Sequence, residues 1–161
     1  MCKLTPLEEF SAYLSAAIHD VHHQGLKNDY ESKIGSTRAI IYSDQSVMEY
    51  YHLAVAFSVL KSDQRYNLFK NLTTEQYTAI RSNMIYWVLG TDNLHHATHV
   101  KELVTEIDKP DFSCESNKKM VMRALLHAAD LANGTRPIEI SKFWSFAVLD
   151  EFFAQGDLER T

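Results

Sequence analysis

Residues 5–20 read Thr-Pro-Leu-Glu-Glu-Phe-Ser-Ala-Tyr-Leu-Ser-Ala-Ala-Ile-His-Asp. Thr5 offers an N-cap hydroxyl, Pro6 fits a first turn that needs no amide hydrogen, and Glu8 stands where a capping-box carboxylate reaches back. Phe10, Leu14, Ala17 and Ile18 then recur at helical spacing, and the helix delivers His19 and Asp20 at its C-terminal end. This stretch sets the pattern of the chain: capped apolar helices that carry donor groups to their ends.

The same signals recur downstream. Ser43-Asp44 precedes a long helix in which Val47, Tyr51, Ala54, Val55 and Leu60 approximate one face, with a stop near Lys61-Ser62-Asp63. Thr73-Thr74-Glu75-Gln76 is a second capping box, opening a helix through Ile80, Met84, Trp87, Val88 and Leu89 that Gly90 breaks or kinks. Further helices are predicted over 94–107, ended by Lys109-Pro110, and over 116–131, stopped by Asn133-Gly134. A last helix runs from Pro137 through Trp144, Phe146, Leu149 and Phe153. With 5 Gly and 3 Pro in 161 residues and no sustained β-branched alternation, the sequence lacks the punctuation of a sheet protein, and helices should dominate. The expected fold is all-α, an irregular multi-helix globule of one domain.

Composition narrows the function. A formal net charge of -5 with scattered Lys and Arg gives no footprint for nucleic acid. No stretch approaches the roughly 18 apolar residues of a spanning helix, and Met1-Cys2-Lys3-Leu4 lacks a signal-peptide core, so a cytoplasmic chain is expected. Cys2 and Cys114 lack C-x-x-C partners and read as free thiols.

Three donor groups sit in apolar surroundings: His19-Asp20, the pair Glu49 and His52 three residues apart, and His127 with Asp130 three apart on one helical face. Charge inside apolar helices is costly unless paired or metal-bound, so the three favour one shared polar centre. Imidazole with carboxylate suits Zn, Mn, Fe or Mg. Each also has a plain alternative: a solvated helix end for His19-Asp20, an intrahelical hydrogen bond for Glu49 and His52, a turn residue for Asp130. His95, His96 and His99 lie in polar sequence and read as a solvated face. Trp144, Phe146, Phe152 and Phe153 read as core. A di-iron bundle would want E-x-x-H twice, and the chain has it once, at Glu49.

Taken in order, the blocks A-A-I-H-D-V-H-H-Q-G from Ala16, S-V-M-E-Y-Y-H-L-A-V from Ser46, N-L-T-T-E-Q from Asn71, L-G-T-D from Leu89, L-L-H-A-A-D-L-A-N from Leu125 and D-E-F-F-A-Q-G-D-L-E-R from Asp150 resemble the catalytic domain of class I 3',5'-cyclic nucleotide phosphodiesterases, within the HD metallohydrolase superfamily. The resemblance spans residues 1–161, read as the central portion of that domain, an incomplete domain. It implies metal-dependent hydrolysis of cAMP or cGMP to the 5'-monophosphate in second-messenger signalling, by a hydroxide activated between two divalent ions, Zn and Mg or Mn. It implies His19, Asp20 and Asp130 as metal ligands, with Asp130 also orienting the nucleophile. His23 matches a histidine just behind the ligands; Glu49, His52 and Thr91 match positions that hold waters around the second ion. Asn133, Val148 and Phe152 match the wall of the nucleotide-base pocket.

Departures bear on activity. The family's upstream H-N-x-x-H block, source of the proton donor and a fourth ligand, does not occur in this sequence, nor does the purine-gripping glutamine and phenylalanine pair after F-F-x-Q-G-D. His22 stands where the family has an acid, Gln24 where it has Pro, and Tyr50-Tyr51 where it has N/H-H. The alternative expectation is therefore a truncated or pseudo-enzyme form acting as a binding module. Apolar surface on the first and last helices is expected to seek flanking segments or an oligomer.

Overall fold

A computed structural model describes residues 3–107, 111 and 114–160. The expected elements are present: α1 (Pro6–Ile18), α4 (Val47–Ser62), α5 (Thr74–Leu89), α6 (His96–Ile107), α7 (Glu115–Asp130) and α8 (Ile138–Glu159), with two short helices the sequence signals passed over, α2 (Asn28–Lys33) and α3 (Thr37–Tyr42). Among the described residues there is no strand. Both capping boxes form: Thr5 with Glu8 starts α1, and Thr73 with Gln76 starts α5. The expected stop at Lys109-Pro110 and the thiol of Cys2 lie outside the described residues; Cys114 is a free, exposed cysteine.

α5 is the spine. α1 packs along it through Ser11, Ser15 and Ile18, all buried. Each serine folds its hydroxyl back onto its own helix, Ser11 Oγ to Leu7 O and Ser15 Oγ to Ser11 O, both 2.7 Å, so no polar group points into the contact. Phe57 and Phe69 with Ile80, Met84 and Val88 complete the core between α1, α4 and α5. On the other side Trp87 donates from Nε1 to Lys119 O at 3.0 Å, tying α5 to α7.

Several expectations need correction. The buried face of α4 is Val47, Met48, His52, Leu53, Ala56 and Phe57, whereas Ala54 is exposed: α2 and α3 as well as α1 and α5 cover a stripe rotated from the one the apolar spacing marked. The predicted 94–107 helix begins as a 3-10 turn over Asn93–His95, capped by Asp92. α7 ends at Asp130, one residue from the expected end, and Asn133-Gly134 lie in a second 3-10 turn, Leu131–Thr135, that follows it. Trp144, Phe146, Phe152 and Phe153, expected in the core, are 42–67% exposed. The reason is that α8 is apolar all round yet packs chiefly on that 3-10 turn, leaving most of its sides uncovered. Among the described residues no helix is long and apolar enough to cross a membrane.

Candidate metal centre

α1 ends at the metal-type donors because the chain turns at once: Val21 N donates to Ile18 O and His23 N to Asp20 O, closing two tight turns over 18–23. His19 Nδ1 lies 2.8 Å from Ala16 O, so Nδ1 carries the proton and Nε2 faces the other way. There it meets Asp130 Oδ1 at 3.3 Å and Asp20 Oδ2 at 3.4 Å. Asp130 arrives from the last residue of α7, over a hundred positions later. One donor atom from each of the three lies within 4.8 Å of the others, and they are the group of this kind among the described residues.

The donor set fits a divalent cation. A tetrahedral or octahedral site with bonds of about 2.0–2.2 Å spreads its ligand atoms over about 3–4.4 Å, close to what these residues offer. Without a cation, a proton takes the place: Asp130 and then Asp20 push the His19 imidazole up to about 10. Asp20 is held below the usual carboxylate range, first by His19.

A second tier surrounds this trio. His52 is buried in α4; its Nδ1 lies 2.7 Å from Val21 O, which leaves Nε2 as a bare lone pair 3.7 Å from Asp20 Oδ1. Burial lowers its pKa, keeping it neutral. A lone pair facing a carboxylate at that distance leaves room for a bridging proton donor such as water. His23 stacks on His52 with ring centroids 5.6 Å apart, its Nδ1 accepting from Gly25 N at 2.9 Å. Glu49 accepts at Oε2 from Asn28 Nδ2 at 2.8 Å, while Asn28 Oδ1 takes the Met48 amide at 2.8 Å. Burial raises the Glu49 carboxyl, and the nearby charges of Asp92 and Asp20 raise it further. Three carboxylates so placed repel one another, and a second cation would relieve this. Thr91 is buried, and its hydroxyl donates to Val88 O at 2.7 Å, ending α5.

The pocket-wall residues lie on α8 and the turn before it. Asn133 Nδ2 donates to Ser141 O (3.2 Å) and Ser145 Oγ (3.3 Å), while its Oδ1 is buried without a hydrogen-bond partner. Val148 and Phe152 are about half exposed, and Lys27 Nζ sits 3.5 Å above the Phe152 ring. Lys27 N donates to Gln155 Oε1 at 2.8 Å, which hooks the turn following the metal ligands to α8.

Two readings change. His127 does not share the trio: its Nε2 pairs with His96 Nδ1 at 2.8 Å. The polar histidine run is thus only partly solvated, since His96 is engaged there and the Nδ1 of His99 is buried without a hydrogen-bond partner. Asp92, in the L-G-T-D block but not singled out, is buried, accepting from Ser46 Oγ (2.8 Å) and Leu94 N (2.9 Å). Asn28 was equally overlooked; both announce themselves in sequence only as polar residues at helix starts.

An all-helical protein that brings an imidazole and two carboxylates from two distant chain segments to one cation-sized point is, as a class, a helical fold with a candidate metal centre. The chain belongs to the 3'5'-cyclic nucleotide phosphodiesterase family, whose pattern matches residues 1–161. It is 32% identical to the human high affinity cAMP-specific and IBMX-insensitive 3',5'-cyclic phosphodiesterase 8A, over 98% of this chain and 21% of that protein. It is 34% identical to the mouse dual specificity calcium/calmodulin-dependent 3',5'-cyclic nucleotide phosphodiesterase 1C, over 97% of this chain and 22% of that protein. The phosphodiesterase domain of the Salpingoeca rosetta rhodopsin phosphodiesterase superposes with a TM-score of 0.93 at 30% identity, over 98% of this chain and 49% of that one. The chain therefore spans about a fifth of these curated relatives and half of that solved domain.

Proposed function

We propose that this chain is the central portion of a catalytic domain that hydrolyses cAMP or cGMP to the 5'-monophosphate in second-messenger signalling. The observation that carries the reading is the convergence of His19 Nε2, Asp20 and Asp130 within 4.8 Å. The residues fit Zn with Mg or Mn; divalent ions held there would acidify a water near neutral pH and offset charge on the phosphate.

This chain's residues then have distinct tasks. His19 Nε2, Asp20 and Asp130 would hold a divalent ion, with Asp20 Oδ2 facing His19 and Oδ1 facing His52. His52 Nε2 is left to accept a hydrogen bond from a water. Glu49 keeps Oε1 for another, since Asn28 occupies Oε2. In the reaction an O–P bond forms from water and the P–O3' bond breaks, with a proton reaching O3'. Val148 and Phe152 exclude water from one side of the base, and Asn133 fixes the turn beneath them.

The test is turnover of cAMP and of cGMP, with Zn and Mg supplied, by protein that includes the adjoining catalytic-domain sequence. Hydrolysis abolished by Asp20→Ala is expected; both nucleotides left intact, or full activity in Asp20→Ala, refutes the reading.

A further inference from the structure

The two departures from the family pattern nearest the metal ligands touch each other. His22 Nδ1 lies 2.6 Å from the Tyr51 hydroxyl, across 29 residues of sequence. Gln24 Nε2 also approaches that Nδ1, at 3.4 Å, and an amide nitrogen only donates, so Nδ1 carries the lone pair and Tyr51 is the donor. His22 is held at φ +63°, a left-handed conformation costly for a residue with a side chain, which the rest of the site must support.

This contact runs beside the one that orients His52. Val21 O meets His52 Nδ1 and His22 Nδ1 meets the Tyr51 hydroxyl, so consecutive residues of the turn are hooked to consecutive residues of α4. The outer hook is itself braced. The Arg38 guanidinium packs 4.9 Å from the centre of the Tyr51 ring, and Arg38 is fixed by Glu31, a fully buried carboxylate that accepts from its Nε at 3.2 Å and from its Nη2. Glu31 is enclosed while Arg38 is a quarter exposed, and the two bonds between them hold the guanidinium in place over the Tyr51 ring.

We propose that Glu31, Arg38, Tyr51 and His22 form a positioning relay that pins the turn after Asp20 onto α4, holding Val21 O against His52 Nδ1 and so His52 Nε2 toward Asp20. Tyr51 and His22 touch no reacting atom; they act by fixing the tautomer and aim of His52. The inference rests on reading His19, Asp20 and Asp130 as a cation site, but its first readout does not.

In the chelator-treated protein, the imidazole 15N shifts of His52 report its tautomer. The Nδ1–H form alone is expected in the parent, and a mixture in Tyr51→Phe and in His22→Ala. His22→Asn tolerates the left-handed backbone and places Oδ1 where histidine has Nδ1, so it restores the single tautomer. Mn(II) affinity by calorimetry should fall about tenfold in Tyr51→Phe, the scale for partners that orient metal-site groups, and no further in Tyr51→Phe combined with His22→Ala. An unchanged His52 tautomer in Tyr51→Phe overturns the relay, as does lost affinity that merely tracks a lower melting temperature. If the parent binds no Mn(II), the cation reading fails, while the tautomer still decides the relay.

Discussion

Replacing Gly90 by alanine sets two effects of opposite sign against each other. Gly90 closes α5 at φ -73°, which alanine adopts without strain. At a compatible site Gly→Ala stabilises by about 0.4–1 kcal/mol through the unfolded chain. Yet a Cβ here would lie 2.2 Å from Arg123 Cγ and 2.6 Å from Cδ. Arg123 cannot simply swing away: it is 6% exposed, donates from Nη2 to Glu102 Oε2 at 2.6 Å, and lies 5.0 Å over the Tyr86 ring. Overpacking of this kind costs about 1–3 kcal/mol, and the weakened ion pair adds about 0.5 kcal/mol because Glu102 is half exposed. The clash wins, and Gly90→Ala should lose about 1–2 kcal/mol net, seen as a lower urea midpoint at unchanged slope. In an Arg123→Ala background only a 3.1 Å approach to Trp87 O remains, and the same substitution should cost far less or become neutral. A gain in the parent, or equal losses in both backgrounds, refutes the argument.

Other outcomes follow from the same geometry. In chelated protein His19 should titrate near 10 by NMR, not near 6.5, because Asp130 and Asp20 favour its charged form. Since that pKa is raised, the pairing stabilises fully below about 6.5 and is lost as pH rises through about 10; cation binding at pH 7 should release about one proton, and none released would contradict the assignment. Glu31→Ala should cost about 1–3 kcal/mol by taking the carboxylate partner from the partly buried Arg38, whereas Glu31→Leu with Arg38→Leu should lose less; thermal unfolding of the single and double variants separates the two cases. The open face of α8, with Phe143, Trp144 and Phe153 each more than half exposed, should make the 161-residue chain self-associate. A monodisperse monomer by sedimentation would contradict that.

Much of the fold could be read from local signals, because capping boxes and Gly or Pro breaks act within four residues of themselves. Thr5 with Glu8 and Thr73 with Gln76 started their helices where expected. Burial was harder, since it depends on partners. The α4 stripe rotated because α1, α2, α3 and α5 together decide what is covered, and the α8 aromatics lie open because apolar character alone names no neighbour. At the site, chemistry and order singled out His19, Asp20 and Asp130, but only the tertiary structure put Asp130 Oδ1 at 3.3 Å from His19. It also sent His127 to His96 instead, since i, i+3 spacing fixes a shared helical face and not what that face meets. The pairing of His22 with Tyr51 is likewise a product of the fold. The sequence determined which residue types stand at the ends of which helices, a matter of local backbone energetics; the packing of distant helices decided which of those ends meet.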